Sequence, residues 1–178
     1  MTFRHFHQIV YFVFLGLAFG MHGLSAARAG DWPQILGLTR SGIAEGESLP
    51  ESWPDDGPEV LWSRSVGQGN AGVAVRGDTG VLFHRVRDQE VVEAFDVANG
   101  EARWSKQYPT SFVPQVGSDS GPLCVPTFDG PQVVTFGAEG VLSCFELSTE
   151  EQLWQRRTHE DFEALAGYFG AGSSPLVI

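Results

Sequence analysis

Nothing constrains this chain more than a segment it contains twice. Residues 91–104 read VVEAFDVANGEARW, and fifty positions later residues 141–154 read VLSCFELSTEEQLW. Val91 answers Val141, Phe95 answers Phe145, Glu101 answers Glu151 and Trp104 answers Trp154. The offset extends upstream, where residues 70–75 align with 120–125, and residues 173–178 open a third copy. Internal periods of roughly 40 to 50 residues belong to arrays in which each repeat is one small sheet that cannot bury its apolar faces alone. The expectation is an all-β protein of β-propeller-type, four-stranded antiparallel blades. It would hold two blades and the first strand of a third, an incomplete ring, since such rings close with roughly four to eight blades.

Short β-runs between turn residues fill out the plan. Residues 60–66, 73–76, 81–86, 91–97 and 102–107 are the expected strands, joined by hairpins at 76–80, 87–90 and Asn99-Gly100. The last is the strongest two-residue signal for a type I′ turn. Blade one covers about residues 70–107, blade two about 120–157 and the start of blade three 173–178, within a partial propeller over 59–178. Trp62 stands in a Leu-Trp run like Leu153-Trp154, yet nothing before it supplies three companion strands. Residues 60–66 are therefore expected to be the outer strand of an absent last blade, and the chain a fragment whose uncovered sheet faces and edges invite association. Residues 30–58, rich in Gly, Pro and Ser, are expected to wrap the surface as an irregular leader. Residues 160–169 are expected to form one or two helical turns with Phe162, Leu165, Tyr168 and Phe169 in the core.

The first 29 residues form an address. Arg4, His5 and His7 precede an apolar stretch over 9–21, and Ala27-Arg28-Ala29 supplies small residues at signal-peptidase spacing. The apolar stretch falls short of the roughly 20 residues a bilayer requires and is broken by Gly16, Gly20 and Gly23, so a cleaved signal peptide over 1–29 and a periplasmic or secreted product are expected. No Cys at the cleavage site provides a lipid anchor. From Gly30 onward stand all 22 acidic residues but only nine of the eleven basic ones. Such a chain lacks the basic stripe that displaces counterions from nucleic-acid phosphates. Cys124 and Cys144, placed by the repeat in the first and third strands of blade two, are about two strand spacings or ~9.5 Å apart. That exceeds the roughly 7 Å limit on Cα separation for a bridge, so both are expected as buried free thiols.

Candidate chemistry is sparse. GQGNAG at 67–72 satisfies G-x-G-x-x-G, but a strand follows it, not the helix whose N-terminus would hold a pyrophosphate. Arg76-Gly77-Asp78 spells an adhesion tripeptide where a hairpin wants Gly and Asp. Asp119, Asp129, Glu139 and Asp161 are potential oxygen ligands, but Ca²⁺ gathers roughly six to eight oxygens at one point, and these lie scattered over loops. His84 and His159 are the histidines that remain after the signal peptide. His159 is expected on an exposed loop, and His159-Glu160-Asp161 lacks the second histidine of a zinc-binding H-E-x-x-H helix. No serine has a G-x-S-x-G setting. Trp104 and Trp154, each in a fourth strand, are expected to fill the gap to the next blade, burying about 150–250 Å² apiece. No catalytic, cofactor-binding or metal residue is assigned.

The run Ala94-Phe95-Asp96-Val97-Ala98-Asn99-Gly100-Glu101-Ala102-Arg103-Trp104 resembles the blade motif of the pyrroloquinoline-quinone-like (PQQ-like) repeat family, A-x-D-x-x-x-G-x-x-x-W. SSPLV at 173–177 resembles the opening of that family's blades. Asp31-Trp32-Pro33-Gln34, with Gly37 and Arg40-Ser41-Gly42, resembles the start of its exported members. The resemblance covers residues 31–178, and blade two departs from it with Glu146 for Asp, Glu150 for the turn Gly and Cys144 for Ala. It implies two kinds of role. Some members are quinone-dependent dehydrogenases of alcohols or sugars, with PQQ over the ring axis, a carboxylate-rich calcium site, a catalytic Asp and in several a vicinal disulfide. Others bind no cofactor and act as scaffolds, as does the propeller lipoprotein of outer-membrane β-barrel assembly. Fold does not choose between them. This chain has no Cys-Cys pair, and the expected role is a non-catalytic binding or scaffold module with a protein partner, without nucleic acid, cofactor or membrane integration. A fragment of a PQQ- and calcium-dependent dehydrogenase is the alternative, and a self-associating surface protein another.

Overall fold

A computed structural model describes residues 30–178 apart from Glu45, Ser48 and Ser118; the expected signal peptide lies outside the described residues. Strands β1 (Ala74–Arg76), β2 (Thr79–Val86), β3 (Gln89–Asp96) and β4 (Ala102–Pro109) form one antiparallel sheet in chain order. Strands β5 (Thr127–Asp129), β6 (Gln132–Phe136), β7 (Val141–Glu146) and β8 (Gln152–Arg157) form a second sheet of the same order. The two are successive blades of an all-β, propeller-type arc. The repeat persists in detail: Ala94 pairs with Trp104 and Cys144 with Trp154, and a β-bulge follows each pair. Among the described residues no helix is long and apolar enough to cross a membrane.

Local chemistry explains the turns. Gly77-Asp78 and Arg87-Asp88 close two-residue hairpins, and both Gly77 (φ 58°) and Arg87 (φ 58°) adopt the left-handed backbone that tight hairpins demand. The type I′ turn expected at Asn99-Gly100 does not form. The Asp96 carboxylate instead accepts the Ala98 N–H at 2.8 Å, its carbonyl accepts the Gly100 N–H at 2.8 Å, and its own N–H donates to the Glu101 carbonyl at 2.9 Å. An Asx turn thus widens the loop, leaving only Gly100 at positive φ, 73°. Blade two builds the same loop around Glu146, whose carbonyl accepts the Glu150 N–H at 3.0 Å, but with Glu150 at φ 61° in place of glycine.

One apolar cluster crosses between the blades, joining Ala74, Val81, Phe83, Val92, Ala94 and Trp104 of the first to Phe128, Val133 and Phe145 of the second. The described residues of the leader form no strand of their own, yet its first residues are fixed against both blades. Trp32 exchanges both backbone hydrogen bonds with Val75 (2.8 and 2.9 Å), the Asp31 carboxylate accepts the Gly77 N–H at 2.7 Å, and the Pro33 carbonyl accepts the Phe128 N–H at 2.8 Å. Three consecutive residues therefore occupy the free edges of β1 and β5, a protection that unpaired strand edges need.

Four further expectations change. Residues 60–66 form no strand, because among the described residues no third strand of a blade lies beside them; side chains hold them against blade one. Residues 173–178 form no ladder either, for want of a neighbouring strand among the described residues, and are tied down by Val125 N–H to Ser174 Oγ (2.9 Å) and Thr127 Oγ1–H to the Pro175 carbonyl (3.0 Å). Cys124 lies in the segment before β5, since the three-residue first strand starts only at Thr127. The helical turn is α1 (Thr158–Asp161), earlier and shorter than expected, and Phe162, Leu165, Tyr168 and Phe169 after it are exposed, with no sheet among the described residues to cover them.

Candidate functional site

The seam between the blades is built from a repeated tryptophan contact. The Trp104 indole N–H, at the end of blade one, donates to the Leu147 carbonyl at 3.0 Å, and its ring tilts against Phe145 with centroids 6.1 Å apart. One step back, Trp62 does the same to blade one: its N–H reaches the Val97 carbonyl at 2.9 Å and its ring meets Phe95 edge-on at 5.8 Å. Arg64 completes this contact, 4.6 Å above the Phe95 ring and 2.6 Å from Glu93. Residues 60–66 thus hold the packing place of an outer strand without its sheet. Gly100 lies under the Trp62 ring, where a Cβ would meet it, so both space and its positive φ require glycine there.

Behind Trp104 the seam encloses a polar cluster. Glu90, the second residue of β3, is fully buried, and its Oε1 accepts the Ala138 N–H at 2.8 Å across the seam. Its Oε2 stands beside the Tyr108 hydroxyl of β4, and neither atom makes a hydrogen bond among the described residues. Both crowd the Cα of Gly137, where any Cβ would collide with them. Burial pushes the Glu90 carboxyl above the usual range, more strongly than the Tyr108 and Ala138 groups lower it. Burial likewise raises the Tyr108 hydroxyl, with Glu90 adding to it, and lifts the neighbouring Cys124 thiol to about 12. Such a thiol is inert; it donates to the Ala171 carbonyl at 3.2 Å.

The residues singled out in the sequence lie apart. His84 is buried in β2, where its Nδ1 accepts the Gly67 N–H at 2.7 Å and its Nε2 lies 3.9 Å from Glu93. Burial lowers its pKa against the pull of Glu93, and an accepting Nδ1 requires the neutral ring with its proton on Nε2. Asp119 caps the loop over residues 69–70 and 121, Asp161 pairs with Arg156 at 2.7 Å, and Asp129 is exposed. Glu139 and His159 do reach one polar cleft of about 510 Å³ with Arg157, but the Glu139 carboxylate is already engaged by Thr110 and Ser111. His159 sits half-buried on α1 against Gly140, not on an exposed loop, because the turn begins before it. Residues 67–72 form a loop leading to β1, and Arg76-Gly77-Asp78 contains the β1–β2 hairpin, its Asp78 paired with Arg103 at 2.9 Å. Cys144 is buried in β7, its thiol toward the Gln132 side chain at 3.3 Å. Among the described residues no three His, Cys, Asp or Glu side chains converge as metal ligands do.

Two features escaped the sequence. Glu90 reads as part of a hairpin turn, and its repeat counterpart is Gly140, so periodicity gives it no role; the small Gly137-Ala138 pair opposite was the one available signal. Trp154 is the other. The repeat makes it equal to Trp104, yet Trp104 is 7% exposed and Trp154 42%. The far face of blade two lies open as a groove of about 570 Å³ lined by Val134, Phe136, Leu142 and Trp154 and by residues 173–178.

Comparison with known proteins gives no family model and no curated protein that matches the chain. Among solved structures, a europium-containing methanol dehydrogenase aligns over 56% of this chain and 18% of its own, at 18% identity and a TM-score of 0.43. BamB from Moraxella catarrhalis aligns over 56% of this chain and 29% of its own, at 15% identity and a TM-score of 0.33. The chain thus spans less than a third of the length of either protein.

Proposed function

We propose that this chain is an exported, non-catalytic binding or scaffold module of the PQQ-like propeller type, engaging a protein partner through the open face of blade two. The observation that carries the reading is the 42% exposed Trp154 lining an apolar groove with the exposed Leu176, where the corresponding Trp104 is sealed by a second blade. Exposed apolar faces of this kind mark interaction sites, and a partner presenting a sheet face with a free carbonyl would complete the contact that Trp104 makes with Leu147. Self-association through the same face is the second reading, favoured by the exposed Trp154, Leu176 and Ile178 that line it.

The test uses the chain expressed from Gly30. Calorimetry with PQQ and Ca²⁺ on a folded sample is expected to give no saturable heat; micromolar or tighter binding overturns the non-catalytic reading in favour of a quinone-dependent dehydrogenase. Sedimentation of the same sample over a range of concentrations reads self-association, and Trp154→Asp separates the two partner readings. A mass that rises with concentration and falls back in this variant identifies the partner as a second copy.

A further inference from the structure

We propose that Glu90 is a pH-sensitive latch between the blades, a neutral carboxylic acid in the closed seam whose ionisation loosens it. Several geometric facts meet at this residue. It is fully buried, it reaches across from β3 to the β6–β7 turn through a single backbone donor, Ala138 N–H, and its second oxygen crowds the Cα of Gly137 together with the Tyr108 hydroxyl and makes no hydrogen bond among the described residues. A carboxylate needs several donors to replace its lost hydration. A neutral acid needs far fewer: its carbonyl oxygen takes the Ala138 N–H, and its O–H has the Tyr108 oxygen beside it as an acceptor.

The charged surroundings do not supply what the anion lacks. Tyr108 on β4 and Cys124 before β5 are neutral groups held further toward neutrality by burial; the Tyr108 hydroxyl, able to donate to the anion as well as accept from the acid, favours the anion by less than burial opposes it. Glu139 in the β6–β7 turn repels a second negative charge. Among the described residues Arg85 on β2 is the cation acting on Glu90, and its guanidinium is held by the carbonyls of Arg87, Phe112 and Ser120. The raised carboxyl of Glu90 agrees with this geometry.

The sign follows. A carboxyl whose folded-state pKa lies above its unfolded value of 4.5 contributes stability that is whole below that value and is lost as pH rises through the folded pKa. Across that window the folded-to-unfolded ratio falls by up to about tenfold per pH unit through this group alone. The opening is local to the seam, and Cys124 is exposed by it while Cys144, on the far side of the sheet, is not.

Urea unfolding of the wild-type chain and of Glu90→Gln at pH 5 and pH 8 tests this. The glutamine keeps the acceptor for Ala138 and offers an N–H to Tyr108. It is expected to match the wild type at pH 5 and to exceed it at pH 8. A variant that is less stable at pH 8, or that retains the wild-type pH slope, overturns the latch. The labelling rate of Cys124 relative to Cys144 by an aromatic disulfide is expected to climb with pH in the wild type and to stay flat in Glu90→Gln; equal behaviour of the two proteins also overturns it. Should the variant fail to fold, infrared spectra of the wild type at neutral pH decide: a protonated carboxyl band supports the latch and its absence refutes it.

Discussion

Truncating the three seam tryptophans one at a time measures how far blade stacking stabilises the chain. Trp104 is 7% exposed, packs on Phe145 and donates to the Leu147 carbonyl at 3.0 Å. Burying about 150–250 Å² at roughly 25 cal/mol per Å² gives about 4–6 kcal/mol, and measured Trp→Ala changes in cores cost about 3–5 kcal/mol. The Leu147 carbonyl is also left without its donor, so Trp104→Ala is expected to cost about 4–5 kcal/mol, much of a typical domain's total of roughly 5–15 kcal/mol. Trp62→Ala, with the same contacts but half-buried on an unpaired segment, is expected to cost about 2 kcal/mol. Trp154→Ala, 42% exposed and without a hydrogen bond from its indole N–H among the described residues, should cost less than about 1 kcal/mol. The assay is urea denaturation followed by far-UV circular dichroism, with Trp104→Phe as a milder variant that keeps a ring and loses the N–H, at about 1–2 kcal/mol. A Trp154→Ala loss equal to that of Trp104→Ala would refute the reasoning, because the two would then share an environment.

Gly137→Ala is expected to destabilise by about 1–3 kcal/mol, since its methyl enters the space of Glu90 Oε2 and the Tyr108 hydroxyl; Glu90→Ala should relieve part of that loss in a double-mutant cycle. Glu150→Gly is expected to stabilise by about 1 kcal/mol, because φ 61° suits glycine, while the mirror change Gly100→Ala loses more through contact with Trp62; urea midpoints read both. His84, held below its usual pKa of 6.5, contributes stability that is present above that value and lost on acidification, and its NMR titration should show a depressed midpoint with the Nε2–H tautomer at neutral pH. Asp78, lowered from 3.8 to about 2 chiefly by its hydrogen bond to Arg103, favours folding above pH 3.8 and ceases to do so as pH falls toward 2. Arg103→Gln should flatten that acid limb in a stability–pH profile.

The blades were legible because stacked sheets leave a period in the chain. Phe95 and Phe145, or Trp104 and Trp154, recur because each blade must present the same face to its neighbour, and the strand order and matching bulges follow from that requirement. Side chains whose seam contact is made by one blade alone leave no period. Glu90 meets Gly137 and Ala138 of the other blade, so its role depends on a difference between repeats, not on their likeness. The Asn99-Gly100 pair misled because Asp96, three residues earlier, captures the Ala98 N–H and sets a wider loop. Exposure was equally hidden: two tryptophans identical in the repeat part company only through what lies beyond each, and the aromatics at 162–169 look like core until no sheet is found beneath them. His84 was visible as a histidine but not as the acceptor of the Gly67 N–H, a contact between segments that no local pattern links.

The leader's three bonded residues set an order of events for folding. Asp31, Trp32 and Pro33 leave the ribosome, and emerge from any export channel, before every strand they later touch, and Phe128 belongs to a blade made much later. Their partners do not exist as ordered edges until both sheets have closed, and contacts so distant in sequence are slow to form because the loop must be closed before they reward it. The first of the described residues to be made are thus the last to be fixed. Until it docks, the inner strands of both blades stay open to other extended chains, and the nascent protein passes through an interval of vulnerability that its finished form does not display.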